Sequence, residues 1–335
     1  MPSRESDPSL LGFHLETMTM AVIAQPRRRG LFAQVAHFFA DQRKWTPYLF
    51  VSPFFLTFAV FTLYPMLRAI TMGFQESVGY TGQWAWIGVE NYAEAFSDAR
   101  LGVALKNFAY YTVGSLATQM PAAFLLALLL TSAYLWARGF FRTAFFIPAV
   151  LPGVTMGVVG AWFFNESRGF ANELWLALGG DARIPWLSTP RLIMPMLLFL
   201  AFWQYMGNHA VYLIAGLSGL DKSVLEAATV DGANGWQKAR FVTLPLLKPV
   251  FAYISITAAA GSLTAYEVPY VFFTGSGTGY GGPAGQGWFF MPYIVWQAFN
   301  QFRMGYATAI GWLVFIIAVV ITIVQLKFYN IGELD

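Results

Sequence analysis

Four side chains suited to holding a hydroxylated ligand sit in otherwise apolar, nearly uncharged stretches of this 335-residue chain: Trp203, Gln204, Asn208 and Glu267. Amides and a carboxylate pair with hydroxyl groups, and the rings of Trp203, Tyr266 and Tyr270 offer flat faces to pyranose rings. Gln204 and Asn208 are four residues apart, so a helix puts them on one face. This set reads as a candidate path for a sugar. For Gln204 and Asn208 the competing reading is hydrogen bonding between helices. For Glu267 it is reach to a polar interface or pairing with a partner subunit, because an ionisable group at membrane depth is costly. His209 reads as structural.

Other chemistries lack their parts. There is no cysteine, which removes disulfides, thiolate metal sites and Cys nucleophiles together, and His14, His37 and His209 are too scattered to form a His-only metal site. No G-x-x-x-x-G-K-[ST] phosphate loop occurs. Gly277-Thr278-Gly279-Tyr280-Gly281-Gly282 matches G-x-G-x-x-G in letters, but a dinucleotide fingerprint needs a preceding strand, a following helix and an acid about 20 residues on. No catalytic, cofactor-binding or metal-binding residue is therefore expected.

The elements that must position these residues follow from composition. Hydrophobic residues make up 57% and charged residues 11%, against roughly 25% charged in an ordinary soluble domain. A net charge of +3 leaves no nucleic-acid footprint. Uncharged runs long enough to cross about 30 Å of hydrocarbon number six: 47–67, 107–137, 143–165, 192–220, 249–270 (with Glu267 inside) and 304–326. Each must be helical, since lipid offers no partner to a free backbone N–H. The fold class is all-α, a polytopic membrane protein of six transmembrane helices. The glycine-rich run 268–302 reads as an external loop with a short helix over 291–299. Trp45, Trp84, Trp86, Trp186 and Trp288 suit interfacial belts.

Six crossings put both termini on one side. With the N-terminus in the cytosol, the inner segments carry 13 Lys and Arg and the outer segments seven, but without the N-terminal tail the two sides are equal. The organisation expected is a cytosolic tail over 1–46 and a six-helix transmembrane domain over 47–335. In the tail, 17–24 is apolar but precedes Arg27-Arg28-Arg29, the reverse of a signal peptide's order. The segment 31–40 (LFAQVAHFFA) reads either as an amphipathic interfacial helix or as a disordered extension from an early start, Met18 and Met20 being other starts.

The most informative inner segment is 221–248, DKSVLEAATVDGANGWQKARFVTLPLLK. Ser223 with Glu226 three residues on has the form of a capping box opening a short helix. Asp231-Gly232 supplies the glycine expected just past a helix end. A second short helix over 236–243 is expected, closed by Leu244-Pro245. Two short helices about a glycine elbow make a docking surface rather than a catalytic one.

Glu226-Ala227-Ala228, then Gly232, Val242 and Leu244-Pro245 in register, resemble the EAA motif of binding-protein-dependent ABC importer permeases, with Val where Ile is usual. PYLFVSPFF from Pro47, IGVENYAEAFSD from Ile87, RGFFRTAFFIPAVLP from Arg138 and TGSGTGYGGP from Thr274 are similar to the carbohydrate-uptake subfamily, in the style of the maltose system's larger permease or the glycerol-phosphate system's first one. The likeness runs from about Pro47 to the end. Ser276, Thr278 and Ala239 depart from it.

The resemblance implies the MetI-like permease fold in the bacterial inner membrane, multi-pass, with both termini cytosolic. It implies a second homologous permease forming a heterodimer, an extracytoplasmic solute-binding protein, and a dimeric ATPase that binds ATP and Mg and receives Glu226, Ala227, Ala228, Asp231, Gly232, Leu244 and Pro245. The chain itself would be no enzyme and hold no cofactor. It would import a mono- or oligosaccharide by alternating access within membrane lipid, and no nucleic acid is involved. Glycerol phosphate is the alternative cargo, although the spans contain no basic residue. A secondary transporter, a rival from another class, needs coupling-ion carboxylates where only Glu267 stands.

Overall fold

The computed structural model describes residues 42–78, 83–132, 135–277 and 279–330. The tail segment 31–40 lies outside the described residues. The chain divides into two units, Met1–Pro65 and Met66–Asp335. The first contributes α1 (Gln42–Phe58), with Pro47 and Pro53 inside it, and a wider π-type turn over Ala59–Leu63. α2 is Tyr64–Met72.

The second unit continues with a short antiparallel hairpin, β1 (Gln75–Val78) and β2 (Gln83–Trp86), pairing Gln75 with Trp86. The hairpin is the one sheet among the described residues and a small departure from the expected all-α chain. Then come α3 (Glu90–Ser97), α4 (Ala99–Thr131), α5 (Arg138–Val150), α6 (Gly153–Phe163), α7 (Phe170–Ala177) and α8 (Pro190–Ser218). The loop helices are α9 (Lys222–Val230), α10 (Gly235–Lys238) and α11 (Leu244–Leu246). α12 (Lys248–Leu263), α13 (Glu267–Gly275), α14 (Phe290–Val295) and α15 (Met304–Phe328) complete the chain.

Three helical stretches are long and apolar enough to cross a membrane, Trp45–Met72, Ala99–Thr131 and Met304–Phe328, or five if each of two bent pairs is one span. The expected six is thus not reached on this test. α8 has 29 residues, about 43 Å of helix, but Gln204, Asn208 and His209 interrupt its apolar run.

The expected span 143–165 breaks in two. α5 and α6 meet at 98°. Pro152 has no N–H and disfavours helix at the residue before it, so Leu151 is extended (φ −69°, ψ 133°). Its freed carbonyl accepts a hydrogen bond from Gln204 Nε2 at 3.2 Å, the kind of side-chain partner that makes a broken helix tolerable in lipid.

The second departure is α13. The sequence suggested loop from 268 onward, yet Glu267–Gly275 is helical, and the glycines that end it begin only at Gly275. α13 runs parallel to α6, against a row of small residues at every fourth position: Gly153 faces Glu267, Gly157 faces Val268 and Val271, and Ala161 lies near Gly275. Such rows let helix backbones approach closely where lipid supplies no hydrophobic drive between helices.

α4 and α8 form the longest helix pair and carry two apolar clusters, one around Met156, Leu197, Leu200, Phe272 and Phe289, the other around Phe124, Leu130, Leu213 and Leu247. A third cluster, with Phe108, Leu263, Tyr293, Tyr306 and Ile310, joins α4, α12, α14 and α15.

Asp98 ties the N-terminal end of α4 to α14 and α15. Its carboxylate caps α4 by accepting from the amides of Arg100 (2.8 Å) and Leu101 (3.4 Å), and it also accepts from the hydroxyls of Tyr293 and, at 2.6 Å, Tyr306. Burial raises its pKa, but these four hydrogen bonds together outweigh burial and hold it below the usual carboxylate range. Arg303 adds a fork onto Glu94, 2.6 Å through Nη1. The glycine-rich loop is held to α4 by Asn107 Nδ2, which donates to the carbonyls of Gln286 (2.8 Å) and Trp288 (2.9 Å).

Candidate functional site

The segment 221–248 folds as two helices about a glycine elbow, with different caps from those the spacing suggested. Asp221, not Ser223, is the N-cap of α9: its carboxylate accepts from the Ser223 amide at 2.9 Å. That hydrogen bond and one from the Ser223 hydroxyl lower the pKa of Asp221. Both S-x-x-E and D-K-S fit helix starts, and here the helix begins two residues earlier, with the Asp221 carboxylate reaching the second amide on. The capping box lies instead at the next helix, where Asn234 accepts from the Gln237 amide (2.9 Å) and Gln237 accepts from the Asn234 amide (2.8 Å).

Gly232 has φ +81°, in the left-handed region that glycine enters without cost. The amides of Gly232 and Ala233 fold back onto Thr229 O (3.1 Å) and Ala228 O (3.0 Å), closing α9. Leu244-Pro245 does not close the second helix. Helical backbone runs through it from Gly235 to Leu246 and turns by 66° into α12 at Leu247.

Glu226 is exposed, with no hydrogen-bond or ion-pair partner among the described residues. Beside it the loop exposes Val230 (88%), Trp236 (66%) and Phe241 (67%). An unpaired acid bordered by exposed apolar and aromatic groups suits protein docking.

The second feature is a cleft of about 480 Å³ lined by α4, α8, α12 and the start of α13. Asn208, Tyr266 and Glu267 line it, whereas Trp203, Gln204 and Tyr270 do not. Gln204 is buried in its bond to Leu151, Trp203 is exposed elsewhere on α8, and Tyr270 stacks on Tyr266 with ring centres 4.9 Å apart. Glu267 stands at the N-terminal end of α13 rather than within a continuous span. It is the one charged side chain lining the cleft.

Sequence reasoning missed most of the lining: Tyr111, Ser115 and Gln119 from α4, Tyr205, His209 and Tyr212 from α8, Tyr253 and Thr257 from α12. Tyr111, Ser115 and Gln119 repeat every fourth residue, a signal of one polar helix stripe. His209 Nε2 and Gln119 Oε1 lie 3.0 Å apart in a buried hydrogen bond across α4 and α8. Ser115 Oγ and His209 Nδ1 are buried without a partner among the described residues. Such groups are costly unless a ligand or water answers them.

Residues 103–329 match the family of the binding-protein-dependent transport system inner membrane component. The chain belongs to that family. This permease is a non-catalytic, multi-pass membrane subunit of an ABC transporter. It is 33% identical over 286 residues to the arabinooligosaccharides transport system permease protein AraP of Bacillus subtilis, covering 85% of this chain and 88% of that one. It is 29% identical to the lactose transport system permease protein LacF of Rhizobium radiobacter, covering 85% and 94%. Its fold is that of a chain in the crystal structure of a bacterial ABC transporter that imports alginate, with TM-score 0.75, 22% identity and 89% and 99% coverage.

Proposed function

We propose that this permease is one of two in a heterodimeric importer for a neutral mono- or oligosaccharide. The observation that carries the reading is the cleft, whose lining joins tyrosine rings to amide, hydroxyl and imidazole groups, two of them buried with an unanswered atom. No Lys or Arg lines it, which disfavours glycerol phosphate as cargo. The permeases of sugar systems named above support the same class.

In this reading a solute-binding protein delivers cargo from the outer side. Asn208, Tyr266 and Glu267 receive it, with Gln204 holding the α5–α6 bend, Tyr270 backing Tyr266 and Trp203 outside the path. A dimeric ATPase, which binds ATP and Mg, takes the Glu226, Ala227, Ala228, Asp231 and Gly232 helix end in a surface groove, with Leu244 and Pro245 carrying its movement into α12. The permease supplies no ATP chemistry.

Two measurements test this. For orientation, a cysteine at Ser223 in the cysteine-free chain is expected to resist an impermeant thiol reagent in intact cells, while one at Ser276 reacts. Reversed labelling rejects the topology. For the cleft, Glu267→Gln keeps the shape and hydrogen-bonding reach but removes the lone charge. It is expected to raise the half-saturating cargo concentration of uptake about tenfold or more, a charged hydrogen bond being worth about 1.5 kcal/mol or more, with assembly intact. Unchanged uptake kinetics across pH removes Glu267 from the path.

A further inference from the structure

A second concavity, of about 470 Å³, opens between α4, α5 and α8. Its walls are hydrocarbon: Leu126 and Leu130 from α4, Phe146, Ile147 and Val150 from α5, Val211 from α8. The charged group lining it is Arg142, at the opposite end of α5 from Val150 and about 12 Å from it along the axis. Arg138 stands one turn earlier on the same face. Both arginines are exposed, and neither has a hydrogen-bond or ion-pair partner among the described residues. Trp136, 88% exposed, sits just ahead of them, where an amphipathic ring marks the membrane–water boundary.

Taken as one broken span rather than a re-entrant loop, the α5–α6 pair sets the groove against hydrocarbon with its arginine end at the headgroup level. A sugar has nothing to bond to on these walls. Two unanswered guanidinium groups at the mouth of an apolar slot call for an anion attached to hydrocarbon. Taking a methylene as about the 30 Å³ of a liquid water, the groove accepts on the order of fifteen, most of one acyl chain.

We propose that this groove is a binding site for an anionic phospholipid, one acyl chain lying along Ile147 and Val211 and the phosphate held by Arg142 and Arg138. The arginine fork matches phosphate oxygens in pairs. A zwitterionic lipid would fill the slot but bring its own cation to the arginines. A helix of another subunit would need an acidic side chain opposite Arg142.

The test uses the complete transporter, purified with its partner subunits and exchanged into nanodiscs of either phosphatidylglycerol or phosphatidylcholine. Lipid retained after transfer to detergent is counted by native mass spectrometry. Wild type is expected to retain phosphatidylglycerol in preference to phosphatidylcholine. Each Arg→Gln change at Arg138 or Arg142 should lower phosphatidylglycerol retention about fivefold, and the pair roughly 25-fold, as for basic residues at an anionic surface. Phosphatidylcholine retention should stay unchanged in those variants. Ile147→Trp, which fills the slot, should lower retention of both lipids without touching either charge.

Unchanged phosphatidylglycerol retention in the double variant overturns the proposal. So does a photo-crosslinker on Ile147→Cys that labels the second permease instead of lipid, since the groove is then a subunit interface.

Discussion

Glu226→Gln is expected to impair transport nearly as much as Glu226→Ala, with the permease still folded and inserted. A Glu three residues after a Ser has a standard local role, reaching back to cap its own helix, and Gln does that job as well as Glu. Here the role is already taken. Asp221 caps the Ser223 amide, and the Glu226 carboxylate projects from the exposed face of α9 with no partner among the described residues. Its charge is therefore left for the ATPase groove in the proposed assembly, where removing one member of a desolvated pair costs about 2 to 5 kcal/mol. That is roughly 30-fold or more in docking. Both substitutions should lower cargo uptake and cargo-stimulated ATP hydrolysis alike, and the ATPase should co-purify less. Wild-type uptake by Glu226→Gln would sink the charge-docking idea and leave contact to Ala227, Ala228 and Gly232. Asp221→Ala is the matching control: it removes the cap, worth on the order of 1 kcal/mol, and should soften α9 while leaving the Glu226 charge in place.

Gly157→Leu is expected to prevent recovery of a folded permease. A Cβ at Gly157 would meet the Cβ of Val271 at 2.8 Å and the carbonyl oxygen of Val268 at 3.2 Å. The second neighbour is helix backbone and cannot rotate away, so α6 and α13 must separate. Overpacking of this kind costs about 1 to 3 kcal/mol and occasionally more, and it moves Glu267, the first residue of α13, out of the cleft lining. Gly157→Ala should lower the melting temperature of the purified complex by several degrees, and adding Val271→Gly, which removes the Cβ that a Gly157 side chain would meet at 2.8 Å, should restore part of the loss. Gly311→Ala has open space around its Cβ and should be neutral or slightly stabilising. If Gly157→Leu melts like wild type, the close parallel packing of α6 on α13 is wrong.

Much of this protein is legible in its sequence. So few charges in so long a chain leave the bilayer as the only solvent that suits it. The elbow at Asp231-Gly232 was readable because a helix end needs a residue free to take positive φ. Two short helices about that elbow were readable because 221–248 is one contiguous segment whose grammar is local, although the second helix runs on through Leu244-Pro245. The choice between Ser223 and Asp221 as cap was not, since two acceptable side chains stood two residues apart and only backbone geometry decides which amide each can reach.

What tertiary structure alone decided was which helix faces meet. In a soluble protein, apolar residues mark the inside. Here both lipid and core are apolar, so hydrophobic pattern cannot tell a buried stripe from a lipid-facing one, and interfaces follow from small residues and hydrogen bonds instead. Gln204 and Asn208 share a face in sequence, yet one secures the Leu151 carbonyl at a bend and the other lines the cleft. Ser115, Gln119 and His209 come from helices ninety residues apart in the chain. Their shared role in the cleft exists only once α4 packs on α8, because a buried polar atom without a partner is defined by what surrounds it and not by its neighbours in sequence.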